Sequence, residues 1–144
     1  MDYRIREMEA HDLSDVESIM YRSFSPQNYD DGYMEQLRWL IENQESRYLL
    51  CAEGHEVAGF IHGDHTGEIE YIAVDEDYRR EGIGKRLALS LLRRFKEDGL
   101  ERAILTPTGN SEKIHARIGF HRCGNGRMVA YIDELLEDSD ERSV

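Results

Sequence analysis

"EIEYIAVDEDYRREGIGKRLALSLL", residues 68–92, decides how this chain is read. Its first seven residues, Glu68 to Val74, are mostly apolar, β-branched or aromatic and predict a strand. From Ile83 the apolar period becomes helical: Ile83, Leu87, Leu91, Leu92 and Phe95 form one stripe, and Gly99 suits a C-terminal stop. Between strand and helix lie Gly82 and Gly84, set among Arg79, Arg80, Lys85 and Arg86. Glycines let backbone N–H groups come close to an anion. The start of the helix aims unpaired N–H groups and its positive dipole end at the same place. The exposed dipole alone is worth only about 0.3–1 kcal/mol. Direct N–H hydrogen bonds and nearby cations must therefore supply most of the affinity for a phosphate.

Three phosphate-binding designs compete for this loop. A Walker loop needs a glycine five residues before Gly84 and a Ser or Thr after Lys85, and those positions hold Arg79 and Arg86. A dinucleotide fingerprint needs a third glycine where Leu87 stands, and an earlier strand in the chain. The pattern R-x-x-G-x-G, carried by Arg79, Gly82 and Gly84, remains.

Outward from the loop, the chain reads as one domain spanning residues 1–144, with no repeat or low-complexity linker. "YRIREM" is a first strand. Asp12 can cap a helix whose stripe is Leu13, Val16, Ile19, Met20 and Phe24. "SPQNYDDG" breaks it, and a second helix carries Tyr33, Met34, Leu37, Leu40 and Ile41 on one side. "RYLLCAE", "EVAGFIHGD" and "EIEYIAV" then read as three strands joined by tight turns, hence antiparallel. The strand–helix–strand unit that follows, ending in "RAILTP", should be parallel and right-handed. "NSEKIHARIGF" reads as a short helix and "GNG" as a turn before a final strand, "RMVAYI". The acidic tail, residues 133–144, is expected to fray. The fold class expected is α/β (α+β): a mixed, mostly antiparallel sheet with helices on both faces.

The net charge of −12 argues against a general binder of nucleic acid or anionic lipid, which the body would repel. No 18-residue apolar run exists, and the opening "MDYRIREMEA" lacks the apolar stretch of a secretory signal. Cys51 and Cys123 make no disulfide framework. The expectation is a cytoplasmic protein with no membrane or nucleic-acid partner, either a monomer or a homodimer. Arginine outnumbers lysine 15 to 3, an acidic, lysine-poor balance that suits a salt-rich cytoplasm or a GC-rich genome. "HGDH", with His62, Asp64 and His65, matches no zinc spacing and reads as a polar hairpin end. Asp75 and Asp77 look like the start of a calcium loop, but the slots for its Gly and Glu hold Arg80 and Arg86. No metal is expected.

Residues 68–92, followed by "NSEKIHARIGF", resemble the GNAT superfamily of acetyl-CoA-dependent N-acetyltransferases. That family pairs the same strand–loop–helix run with a later helix ending in Gly-Phe, here Gly119-Phe120. The resemblance implies a three-layer α-β-α sandwich and acetyl transfer from acetyl-CoA, as co-substrate, to a primary amine in a ternary complex. A protein N-terminus, a lysine, a polyamine or a small metabolite would fit as acceptor. Ile72, Ala73 and Val74 would present backbone to the pantetheine arm. The N–H groups of Arg79, Arg80, Glu81, Gly82, Ile83, Gly84 and Lys85 would hold the pyrophosphate, with Arg86 adding charge. Asn110 and Lys113 would touch the far side of the cofactor, and Tyr29 the acceptor. Trp39 is assigned to the core.

An alkyl amine is mostly protonated at neutral pH, so the reaction needs a base. Glu68, which falls where several relatives keep a base carboxylate, is the first candidate, and Glu70 the second. Glu68, Glu70, Ile72 and Val74 share one face of the strand unless a bulge intervenes. Relatives usually place a Tyr near the coenzyme sulfur four residues before the Gly-Phe pair. Here that position is His115, a candidate acid in its place. The rival reading is a non-catalytic acyl-CoA-binding sensor of the same fold.

Overall fold

The computed structural model describes residues 2–24, 31–108 and 111–142. In chain order its elements are β1 (Arg4–Glu7), α1 (Leu13–Ser23), α2 (Asp31–Glu42), β2 (Leu49–Glu53), β3 (Val57–Gly63), β4 (Glu68–Val74), α3 (Ile83–Glu97), β5 (Arg102–Leu105), α4 (Glu112–Ile118), β6 (His121–Gly124), β7 (Arg127–Tyr131) and α5 (Ile132–Arg142). The seven strands form one sheet in the order β1-β2-β3-β4-β5-β7-β6. Only β4 and β5 pair in parallel. Helices cover both faces, so the layers stack helix, sheet, helix. The expected antiparallel run β2-β3-β4 and the parallel β4-α3-β5 unit are both present.

Each face has its own core. The stripe of α3 packs with Leu50, Ile61, Ile69 and Leu105 on one side. Val16, Ile19 and Met20 of α1 and Leu37 of α2 pack with Leu49, Cys51 and Phe60 on the other. β3 lies mid-sheet and is buried along its whole length, which explains its nearly unbroken apolar run.

β4 carries the feature that shapes the site. Against β3, His62 faces Tyr71 but Gly63 faces Ile69, so Glu70 is the extra residue of a bulge. Alternation therefore resets. Ile69, Ile72 and Val74 pack on the α3 side, and Tyr71 and Ala73 pack on the α1–α2 side. The expectation that Glu68, Glu70, Ile72 and Val74 share a face is corrected. A bulge shifts the period-2 pattern by one residue, and nothing in residues 68–74 announces it.

Three other expectations change. Of the tail expected to fray, residues 133–142 form helix α5, which begins at Ile132 and has Ile132 and Leu136 buried in the α3-side core. Trp39 is 53% exposed rather than in the core, because the buried stripe of α2 is supplied by Tyr33 and Leu37. Asp12 caps by a different route. Its carboxylate accepts the Glu9 amide at 2.7 Å, closing a 3-10 turn ahead of α1. The same carboxylate takes two N–H groups of Arg6, each at 2.8 Å.

Burial alone would raise the Asp12 carboxyl, but the Arg6 and Glu9 hydrogen bonds hold it below its ordinary value. A lowered native value means that this stabilisation is present above the ordinary carboxylate range and is lost as pH falls through the native value. Asp12→Asn should thus be less stable at neutral pH and lose less on acidification, as read by urea midpoints across pH. Leu136→Ala should cost about 2–4 kcal/mol in the same assay, which a frayed tail would not.

Candidate functional site

β4 and β5 pair only through Glu68–Ile104 and Ile69–Leu105. Beyond those two pairs, among the described residues, the side of β4 facing β5 has no ladder partner from Glu70 to Val74. Unpaired backbone inside a sheet is costly unless something else bonds to it. β5 ends at Leu105 while β4 runs on to Val74, which lies beside the start of α3.

There the backbone curls through two left-handed residues, Arg80 (φ 72°) and Gly82 (φ 78°). The left-handed Gly82, followed by helical Ile83, turns successive N–H groups toward one concavity. No acidic residue occupies the first turn of α3. A Cβ on Gly84 would meet only Val74 Cγ2, at 3.7 Å. Packing gives no reason for glycine there, whereas close approach of a ligand does.

The cations of the loop divide. Arg79, Arg80 and Lys85 stay near the helix start, and Arg79 Nε reaches the Val74 carbonyl at 3.4 Å. Arg86 turns away and donates to the Tyr3 carbonyl at 2.7 Å, which corrects the expectation that it adds charge toward the phosphates. Its place in the first turn of α3 directs it back along the helix toward β1. The Glu81 carboxylate accepts the Tyr3 hydroxyl at 2.6 Å. Asp75 is buried and already engaged, by Arg22 at 2.5 Å and by the Asp77 amide at 3.1 Å. Those contacts account for the acidic run without calcium.

The two glutamates differ. Glu68 is ion-paired to Arg127 of β7 at 2.9 Å. Glu70 stands exposed at the bulge, with 36% of its side chain accessible, and its carboxyl is raised above its ordinary value, first by partial desolvation, then by the neighbouring charges of Asp64 and Glu68. Behind it lies His62, whose Nδ1 is 3.4 Å from Glu70 Oε2 and 2.9 Å from the Tyr33 hydroxyl. His62 is 3% exposed, so it is not part of a polar hairpin end, as "HGDH" had suggested. Burial lowers its imidazole to about 4, leaving it neutral. Tyr33, Tyr71 and Phe24 form an aromatic wall beside it, with ring centroids 4.6 Å and 5.3 Å apart along the row. A cleft of about 420 Å³ opens here, lined by Gln36, Leu40, Glu45, Asp64, His62 and Glu70 among others.

His115 is buried on α4 with its ring edge-on to Phe120, and burial lowers its imidazole below the ordinary value. It is neutral at pH 7. Lys113 is exposed on the same helix. Tyr29 and Asn110 lie outside the described residues. Burial pushes the Cys51 thiol up to about 12, so it is no nucleophile. The roles of His62, Tyr33 and Arg127 were not foreseen. The one signal in the sequence was a histidine interrupting the apolar run "VAGFIH".

An acetyltransferase (GNAT) family model matches residues 13–124. The chain belongs to that family. An uncharacterized N-acetyltransferase of Methanocaldococcus jannaschii is 23% identical over 138 residues, covering 82% of this chain, which spans 60% of that relative's length. Among solved structures, Ard1 of Thermoplasma volcanium aligns with TM-score 0.74 and 23% identity over 91% of this chain and 98% of its own. A Brucella melitensis GNAT acetyltransferase, solved with acetyl-CoA, aligns with TM-score 0.66 and 18% identity over 90% and 88%. The family model establishes the expected family, and the structural likenesses bear out the three-layer fold.

Gly84→Ala should raise stability by up to about 1 kcal/mol, because it replaces a helical glycine where there is room for a methyl. Thermal melts of the two proteins check this.

Proposed function

We propose that this GNAT domain moves the acetyl group of acetyl-CoA to a primary amine by direct attack in a ternary complex. The observation that carries the reading is a carboxylate raised by its acidic neighbours, Glu70, standing just past the last β4–β5 pair. From that point a crevice runs to a glycine-lined helix start on one side, and an acidic cleft opens on the other.

Each residue then has a task. The N–H groups from Arg79 to Lys85 hold the pyrophosphate, with Arg79, Arg80 and Lys85 supplying charge. The open side of Ile72, Ala73 and Val74 pairs with the pantetheine amides as an added strand would. The acceptor enters through the cleft beside Glu70, whose acidic lining favours a cationic amine. Glu70 removes a proton from the ammonium, directly or through water. The nitrogen attacks the thioester carbonyl, and backbone N–H of the open stretch steadies the oxyanion. Collapse breaks the C–S bond, and the remaining amine proton reaches the leaving thiolate. His115 is the donor or hydrogen bonder nearest that role in sequence position, and being neutral it keeps an N–H to give.

Glu70 is a better base than Glu68 in this reading. Glu68 is engaged by its ion pair with Arg127, whereas the Glu70 carboxyl is raised by partial burial and by its acidic neighbours and so binds a proton more tightly. The two free thiols suit the cytoplasm as its place of work.

Acetyl-CoA with a panel of amines, read by free-thiol release, tests the proposal. Glu70→Gln should lower kcat about 100-fold with acetyl-CoA affinity unchanged, and Glu68→Gln should lower it less. The wild-type kcat/KM should fall as pH drops through a value above the ordinary carboxylate range, a limb absent in Glu70→Gln. Gly84→Val should abolish acetyl-CoA binding measured by calorimetry. Full turnover in Glu70→Gln, Glu68→Gln and the double variant would remove both from the mechanism. Tight acetyl-CoA binding without thiol release on any amine would favour the sensor reading.

A further inference from the structure

We propose that His62, held by Tyr33, tunes Glu70 as a base: its bare Nδ1 accepts a hydrogen bond from the Glu70 carboxyl once Glu70 has taken a proton from the acceptor. The inference rests on the acetyl-transfer reading above and assigns His62 and Tyr33 as positioning residues behind the base.

The geometry begins with the bulge. Because Glu70 is the extra residue between the His62–Tyr71 and Gly63–Ile69 pairs, its carboxylate is brought beside the imidazole of the neighbouring strand. His62 Nδ1 then sees two oxygens, the Tyr33 hydroxyl at 2.9 Å and Glu70 Oε2 at 3.4 Å. Burial keeps this imidazole neutral, so one ring nitrogen bears a lone pair. The tyrosine hydroxyl stays protonated, since burial and the Glu70 charge both oppose its ionisation, and in this proposal it donates to Nδ1. With the hydroxyl donating, Nδ1 is the bare nitrogen.

A bare nitrogen and a carboxylate are both acceptors, and no proton joins them. A carboxylic acid in the same position donates to Nδ1. The pair thus rewards the protonated form of Glu70 and offers the ionised form nothing, which strengthens its hold on a proton. Tyr33 opposes this by competing for the same lone pair. The other titratable or charged groups around Glu70 are Glu68 on its own strand, Tyr71, Asp64 in the β3–β4 turn and, lining the same cleft, Glu45, Arg47 and His65; Arg47 is paired to Glu97 and Asp98, and Arg127 to Glu68. The acids act in the same direction as His62, but they do not depend on it, so substitutions at His62 and Tyr33 isolate its part.

The sign of the two effects makes the test. Glu70→Gln assigns the Glu70 carboxyl resonance in a protein labelled with carboxyl-13C glutamate. Titration of that resonance is then followed in His62→Ala, His62→Asn and Tyr33→Phe, alongside the pH profile of kcat/KM. His62→Ala removes the acceptor and admits water, and should lower the Glu70 midpoint by about one pH unit. Tyr33→Phe removes the competitor and should raise it. His62→Asn keeps a polar group near the Nδ1 position and should stay near wild type. The acid limb of kcat/KM should move with each midpoint, while acetyl-CoA affinity stays constant.

If His62→Ala fails to fold, the upward shift in Tyr33→Phe decides. A Glu70 midpoint that stays put in Tyr33→Phe, or moves down, overturns the inference even when turnover is normal. Midpoints that shift as expected in a protein that acetylates no amine uphold the His62–Glu70 coupling and defeat the transfer reading instead.

Discussion

The parting of two parallel strands is the constraint on which the rest of this molecule depends. β4 and β5 share two residue pairs and then separate, mid-sheet, with the α3 layer beneath them. A sheet normally satisfies every central N–H and C=O, and here a stretch of β4 keeps its groups for something else. The separation also places the start of α3 at the end of an open crevice rather than against a neighbouring strand. Gly82 and Gly84 are intelligible only in that setting. One supplies a left-handed turn, and the other clears space that no side chain of the protein fills.

A second consequence follows from the bulge at Glu70. By resetting alternation, it leaves Ile72 and Val74 to pack under α3 and turns the carboxylate toward the α2 side, where His62 and Tyr33 wait. The cofactor seat and the candidate base thus belong to one strand but face different surroundings. Arg127 draws off Glu68 while Glu70 keeps the company of other acids. Two glutamates of one short strand thus come to differ in surroundings through the bulge and through their neighbours. The acidic body, net charge −12, is continued in the cleft by Glu45, Asp64 and Glu70, and the basic loop is a local exception to it.

Much of this was legible beforehand, for physical reasons. Periodicity reports which residues must be buried, so Val16, Leu37 and Leu91 were readable as core from spacing alone. Tight turns made β2, β3 and β4 antiparallel, and the helix between β4 and β5 made that pair parallel. The loop was readable because its glycines and cations are adjacent in the chain. Trp39 and the acidic C-terminal segment were misread for the opposite reason. Whether an amphipathic helix docks, and which of its aromatics faces inward, depends on partners far away, such as α3 for Leu136.

The sequence by itself determined the strand–loop–helix unit of residues 68–92, the three-layer class and the family, because these rest on local spacing and on residues close together in the chain. Only the tertiary structure decided that Arg127 pairs with Glu68, that Arg86 serves β1, and that a histidine 8 residues from Glu70 lies beside its carboxylate, with a tyrosine 29 residues from that histidine at the same ring nitrogen. Charge–charge and hydrogen-bond energies depend on distance in space and on exclusion of water. Neither is set until a bulge, a buried strand and a helix from the other layer are brought to one point.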